Sequence, residues 1–113
     1  MIAARHTSPD GLLTLLVDEE DGDWTVGFEG SDWHTHGDLL TAYGERSPEL
    51  AIDAFVRDLV EGRWVIALLR RDNIIFDIWV TDDPVSEREE GIEFRYWDGR
   101  PFTVTEVPGR PVE

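Results

Sequence analysis

The sequence contains no cysteine, no lysine and no glutamine, and Asn73 is its only asparagine. Without cysteine the chain has no disulfide bond, no thiolate nucleophile and no cysteine-ligated zinc or iron–sulfur centre, so packing of the core must hold the fold together. All ten basic residues are arginine. This preference for residues with GC-rich codons predicts a bacterial source.

Long hydrophobic segments are also missing. The longest apolar run extends from Trp64 to Leu69, whereas a helix needs about 20 apolar residues to cross a bilayer. The first residues of the chain carry no apolar stretch of the kind found in signal peptides. We therefore expect a cytoplasmic protein with no membrane partner.

Negative charge is present in excess, with 25 acidic and 10 basic residues and a formal net charge of −15. A field of this sign repels nucleic acids and attracts basic protein surfaces. The acids are concentrated in three segments, at Asp18–Asp23, at Asp82-Asp83 and at Glu87–Glu90. The charge predicts that the protein binds no nucleic acid. It leaves open whether the acidic surface binds a basic protein or only keeps the protein soluble.

The chain is 113 residues long, of which 41% are hydrophobic and 31% are charged. This length and composition predict one globular domain over residues 1–113. Its last residues, 108–113, contain two prolines and a glycine, and we expect them to form a frayed tail.

The clearest predicted helix covers residues 48–61. Ser47 stands at the N-cap position, Pro48 occupies the first helical position, and Gly62 follows the last turn. Apolar residues recur on one side at helical spacing, which predicts that this side packs on a sheet. The residues of this apolar side are Ile52, Phe55, Val56, Leu59 and Val60.

Runs of β-branched, aromatic and aliphatic residues predict the strands, in the order ββαββββ along the chain. The first two runs are predicted to form a hairpin across a polar loop at Asp18–Asp23, and Asp72-Asn73 is predicted to be a tight turn between the next two strands after the helix. A short helical turn is predicted over Leu39–Tyr43. Short connections favour antiparallel pairing of the strands. The fold class predicted is therefore α+β: one twisted antiparallel sheet of about five to six strands, with the main helix packed on one face. The runs are Leu12–Val17, Trp24–Glu29, Trp64–Leu69, Ile74–Val80, Ile92–Trp97 and Phe102–Val107.

Alternation within the fourth run predicts which side chains are buried. Ile74, Phe76, Ile78 and Val80 share one face of a regular strand, and this face is predicted to belong to the core. Asp77 lies on the other face between apolar neighbours. A carboxylate in this setting is a candidate general acid, although it more often marks the face of the sheet that meets solvent.

The candidate ligand site is the segment Trp33-His34-Thr35-His36-Gly37-Asp38. In an extended segment His34, His36 and Asp38 point the same way, and two imidazoles with a carboxylate suit zinc or iron. The string His-Thr-His-Gly-Asp is similar to the start of the metallo-β-lactamase motif, H-x-H-x-D-H. Leu39 stands where the motif has its next histidine, and no histidine follows His36. A divalent metal at His34 and His36 therefore remains an alternative, and no cofactor is otherwise predicted.

Five tryptophans are many for a chain of this length. Trp33, Trp79 and Trp97 would form an aromatic patch with an acidic rim if they share the surface, which is the anatomy of a protein-binding site. Alternatively, they form a second small core beneath the loops, with each indole N–H hydrogen-bonded.

The sequence offers little for catalysis, because its serines fall at turn or cap positions and its glycines do not form a phosphate-binding loop. In size, charge and architecture the chain resembles immunity proteins, which block toxins that are often basic nucleases. The resemblance implies a non-enzymatic protein-binding module with a basic protein partner. The alternatives are the metal- or small-ligand site around Trp33, His34, His36 and Asp38, and a subunit of a homo-oligomer.

Overall fold

The structure, a computed structural model, describes residues 1–40 and 47–102. These residues form seven strands, a short helix and a long helix. In chain order the elements are β1 (Ile2–Thr7), β2 (Thr14–Glu20), β3 (Asp23–Phe28), β4 (His34–His36), α1 (Gly37–Leu40), α2 (Pro48–Val60), β5 (Val65–Arg71), β6 (Ile74–Thr81) and β7 (Ile92–Arg95).

The strands form two antiparallel sheets. The first sheet has the order β1-β2-β3-β4, and the second has the order β6-β5-β7. The predicted α+β class, the antiparallel pairing and the main helix are confirmed, whereas the prediction of a single sheet is replaced by two. The sheets meet through side chains rather than through a backbone ladder: the Ser31 hydroxyl donates to the Ile78 carbonyl oxygen at 2.8 Å and accepts from the Ile78 N–H at 3.2 Å.

Helix α2 begins and ends as its sequence predicts. The Ser47 hydroxyl accepts the Leu50 N–H at 3.2 Å, and Pro48 opens the helix. At the other end Gly62 has a φ of 84°, and the Arg63 N–H bonds to the Asp58 carbonyl oxygen at 2.9 Å. This is the Schellman arrangement, which satisfies carbonyl groups that the last turn would leave free.

The core is one cluster to which α2 and both sheets contribute. From α2 it takes Ile52, Phe55, Val56 and Leu59, all at most 8% exposed. Because this one cluster contains residues of α2 and of both sheets, the sheets share a single core. The strand residues of the cluster are Leu15, Val17, Val26, Phe28, Ile66, Leu68 and Ile78, and the cluster also contains Leu13 just before β2 and Trp97 beyond β7.

The β2–β3 hairpin is regular. Its pairs run without a shift from Leu15↔Phe28 to Glu20↔Asp23. Asp21 and Gly22 form a tight turn with φ values of 50° and 86°, as expected where the twist of the turn must match that of the strands. The predicted hairpin is confirmed, and its strands continue into the segment predicted to be an acidic loop.

The β5–β6 hairpin is tight but irregular. Asp72 and Asn73 both have positive φ, at 51° and 67°, which confirms the predicted turn. Beyond the turn the register shifts, because Leu69 pairs with Asp77 and Arg70 pairs with Ile75, so that Phe76 has no partner. Such an inserted residue is a β-bulge, and it reverses the alternation of faces along the strand.

The bulge corrects the predicted core face of β6. Ile78 is buried and Val80 packs against the core as predicted, but Ile74 and Phe76 are each 58% exposed. Ile75, predicted to lie on the opposite face, packs against the core in their place. The single unpaired residue at the bulge accounts for the exchange.

The strands β1 and β4 were not predicted, because β1 has two alanines and no alternation of apolar residues and β4 is only three residues long. The predicted strand over 102–107 and the frayed tail over 108–113 lie almost wholly outside the described residues. The same is true of residues 41–43 in the predicted helical turn over 39–43. Of that turn, Leu39 and Leu40 are helical in α1.

Candidate functional site

The two histidines of β4 lie side by side. His36 pairs with Thr25 and His34 pairs with Gly27 across the β3–β4 ladder. Their ring centroids are 5.0 Å apart, and the rings meet edge to face at 74°. The predicted extended geometry of His34 and His36 is therefore present, and it places both imidazoles on one face at the edge of the first sheet.

Each imidazole is held through its Nδ1 atom. His34 Nδ1 lies 3.1 Å from the Asp32 carbonyl oxygen, and His36 Nδ1 lies 3.2 Å from Asp23 Oδ1. Because a carbonyl oxygen only accepts, the His34 bond requires a proton on Nδ1, which leaves Nε2 as the basic nitrogen of the neutral ring. Metal-ligating histidines are often oriented in this way.

Asp38 does not join the two histidines as a third ligand. It lies in the first turn of α1 and is exposed. Among residues 1–40 and 47–102, no three His, Asp or Glu side chains converge on a position from which they could hold one metal ion. The structure thus gives a histidine pair, and metal binding there stays a prediction.

Asp77 holds a loop against β6. Its Oδ1 lies 2.6 Å from the Ser31 hydroxyl oxygen and shares the hydroxyl proton with the Ile78 carbonyl oxygen, and it accepts the backbone N–H of Ile78 at 2.9 Å. The same hydroxyl contacts the backbone of Ile78, so this carboxylate belongs to the junction between the two sheets. The observed bonds therefore give Asp77 a structural role.

The tryptophans do not form the predicted surface patch. Trp97 is only 4% exposed and belongs to the core, which corrects its assignment as a partner-binding residue. Trp33 packs against the core beside Phe28 and Phe55, with ring centroids 5.8 Å and 6.4 Å away. Trp79 is partly buried, and its indole N–H donates to Glu87 Oε1 at 2.8 Å. The alternative of tryptophan bodies buried beneath loops describes these positions better.

An open groove of about 540 Å³ separates α2 from the edge of the first sheet. Its apolar lining includes Ala4, Val17, Trp24, Val56 and Val60. The groove lies between α2, which packs against β3, and β1 at the end of the same sheet. Val60, which was predicted to pack on the sheet with the rest of the apolar side of α2, is instead 41% exposed to solvent, because it lies beside this groove.

Charged side chains line the helical wall of the groove. They are Glu49, Asp53 and Arg57, which follow one another at intervals of four residues and are all exposed. In the part of the chain that the structure describes, none of these side chains forms an ion pair or a hydrogen bond. His6 of β1 is the titratable residue on the opposite wall.

A partly buried ion pair between Arg95 of β7 and Asp10 of the β1–β2 connection joins the two sheets and was not predicted. Arg95 is 7% exposed, and its guanidinium binds Asp10 through Nη1–Oδ2 at 2.6 Å and Nη2–Oδ1 at 3.3 Å. It also donates to the carbonyl oxygens of Tyr96 and Trp97. The Arg95 guanidinium, helped by the Ser8 hydroxyl, holds the pKa of the Asp10 carboxyl well below its ordinary value. A charged residue inside an aromatic run was the only hint in the sequence.

Comparisons of the chain with protein-family models, with curated proteins and with solved structures give no match. Neither helix in the described ranges has the length and apolar character needed to cross a membrane. The geometry and charge of the chain itself are therefore the basis for any functional proposal.

Proposed function

We propose that the protein is a non-enzymatic binding module whose acidic surface meets a basic protein partner. The observation that carries this proposal is the net charge of −15. Its acids cluster at the ends of hairpins and in loops: Glu20, Asp21 and Asp23 surround the first turn, and Glu89 and Glu90 are exposed before β7. These positions present charge to an approaching molecule.

The physical basis is electrostatic steering followed by close contact. A surface of one sign accelerates encounter with a surface of the opposite sign, and it disfavours partners of the same sign. The groove beside α2 supplies apolar area next to the charges. Immunity proteins combine charge and contact in this way, and the partner proposed by analogy is a toxin with a basic active site.

The experiment mixes this protein with the purified product of the adjoining gene, provided that this product is a basic protein. We expect a complex by size-exclusion chromatography whose Kd rises at least about tenfold between 0.05 M and 0.3 M salt, because salt screens exposed charges over about 6 to 14 Å in this range. The double variant Glu89→Gln/Glu90→Gln should bind more weakly. The proposal would be overturned if no complex formed, or if the Kd did not change with salt concentration.

A homo-oligomeric subunit is the second candidate, and the exposed side chains of Ile74 and Phe76 favour it. Two large apolar side chains next to each other on a strand edge are typical of interfaces. The net charge opposes self-association, so we expect light scattering to show a dimer only at high salt. A monomer at every salt concentration would remove this candidate.

The metal or small-ligand alternative rests on the Nε2 atoms of His34 and His36. If these atoms bind a divalent ion, Zn²⁺ should raise the Tm of the wild-type protein and leave that of His34→Ala unchanged. Equal shifts in both proteins would show that zinc binds elsewhere.

A further inference from the structure

Strand β1 is an edge strand with an accessible outer side. It lies at one end of the four-stranded sheet and pairs with β2. The Ser8 N–H points to the Leu13 carbonyl oxygen at 2.9 Å. Since successive residues of an antiparallel strand direct their backbone groups to opposite sides, those of Arg5 and Thr7 face away from β2. In the described residues no strand pairs with them.

The sequence of β1 does little to block this edge. It contains no proline, and its one shift of register is confined to the start of the strand, between Ile2 and Ala4. Edges of soluble proteins are usually protected by such features along their length. An extended segment can therefore pair with the backbone from Arg5 to Thr7.

The face of β1 that carries Ala4 and His6 borders the groove. Ala4 pairs with Val17 and His6 pairs with Leu15, both of which are buried. A strand added beside β1 would direct every second side chain to this same face. Those side chains would meet the wall formed by α2.

The charges on α2 match the spacing of such a strand. Glu49 and Asp53 are one helical step of four residues apart, or about 6 Å. Same-face side chains of an extended segment repeat every two residues, or about 6.6 to 6.8 Å. Two cationic side chains at alternate positions therefore fit opposite Glu49 and Asp53, whereas a third would approach Arg57.

Building on the function proposed above, we propose that the groove between β1 and α2 binds an extended segment of the basic partner as an additional strand. The segment carries arginine or lysine at two alternate positions that face Glu49 and Asp53. Its other groove-facing side chain is apolar and covers Trp24 and Val60. Backbone hydrogen bonds then supply affinity, and the carboxylates supply specificity.

The experiment uses two acetylated hexapeptides of equal composition as probes. Arg-Thr-Arg-Val-Val-Val places both cations and one valine on the same face, whereas Arg-Arg-Val-Thr-Val-Val places its cations on opposite faces. Both are titrated into ¹⁵N-labelled protein, and amide shifts and hydrogen exchange are followed. We expect the alternating peptide to bind about threefold more tightly and to protect the amides of Arg5 and Thr7 from exchange.

Single-charge variants locate the contact. Asp53→Asn should weaken binding of the alternating peptide about threefold, the scale of an exposed ion pair. Arg57→Gln should strengthen it, because a repulsion is removed. Glu90→Gln makes the same change of net charge as Asp53→Asn at a distant loop and should have less effect.

The results of these experiments distinguish failure of the groove site from failure of the proposed function. Equal binding of both peptides, with shifts in the acidic loops and none at Arg5 or Thr7, would overturn the groove site. It would leave the salt-dependent complex with the basic partner intact. If neither peptide bound, the groove site would also be overturned. If the protein formed no salt-dependent complex with the basic partner, the proposed function would be overturned as well.

Discussion

The β2–β3 and β5–β6 hairpins turn in the same way and differ in how their strands continue. Each closes through two residues with positive φ, Asp21-Gly22 in the first and Asp72-Asn73 in the second. The first continues in regular register, and Leu15 and Val17 are buried as alternation requires. The second contains a bulge at Phe76.

The difference shows what a turn determines and what it does not. A two-residue turn fixes which residues pair next to it. It does not prevent a bulge several residues away, and one inserted residue exchanges the two faces of the remaining strand. The consequence in β6 is an apolar pair, Ile74 and Phe76, left in solvent near the tip of the hairpin.

The largest expected effect contrasts two residues of the second hairpin. Ile78→Ala should lower the free energy of unfolding by about 3 kcal/mol, because it leaves a cavity in the core. Phe76→Ala should change it by no more than about 0.5 kcal/mol, because its side chain is exposed. Urea denaturation of both variants measures the difference. If Phe76→Ala lowered the free energy of unfolding by clearly more than about 0.5 kcal/mol, Phe76 would be buried, and β6 would be regular without a bulge.

The same contrast explains how far the sequence could predict the fold. Local signals sufficed for α2, because Ser47, Pro48 and Gly62 act on adjacent backbone groups. They also sufficed for the turn at Asp72-Asn73, whereas the first hairpin was predicted with a six-residue loop, Asp18–Asp23, in place of its two-residue turn. They failed in β6, where apolar residues occupy both faces from Ile74 to Val80, so either face could be buried. A bulge there is decided by contacts with the rest of the core.

The candidate site was predictable to a smaller extent. The pairing of His34 with His36 follows from the two-residue repeat of a strand. The groove depends on where α2 lies over the sheet, and the Arg95–Asp10 pair joins residues 85 positions apart. No local pattern encodes such distances, so this ion pair and the groove beside α2 both required the structure.

The ion pair between Asp10 and Arg95 joins the two sheets to which the hairpins belong. Asp10→Asn should lower the free energy of unfolding by about 2 kcal/mol at pH 7. This loss is smaller than the ~3 to 5 kcal/mol expected for a fully buried ion pair, because the Asp10 side chain is 39% exposed and solvent partly screens its charge. Glu29→Gln breaks an exposed pair with Arg5 and should cost at most about 0.5 kcal/mol. Urea denaturation provides the comparison.

The pH dependence of this pair follows from the lowered pKa of Asp10. A carboxyl whose pKa is lower in the folded state contributes stability above its unfolded pKa of about 3.9 and loses it as the pH falls further. The stability difference between wild type and Asp10→Asn should therefore be full at pH 6 and shrink from pH 4 to pH 2. A difference that does not change with pH would show that the charge of Asp10 contributes nothing.

The smallest effects come from exchanging the chemistry of the two turns. Gly22→Ala places a methyl group at a φ of 86° and should cost about 1 kcal/mol, because L-residues avoid this region. Asn73→Gly relieves a φ of 67° and should stabilise the second hairpin by about 0.5 kcal/mol, since glycine is favoured at this turn position. Opposite signs in thermal unfolding would show that the turns are equivalent. In that case the bulge alone determines which face of β6 is buried. If Asn73→Gly lowered the stability instead, the turn itself would account for the difference between the hairpins.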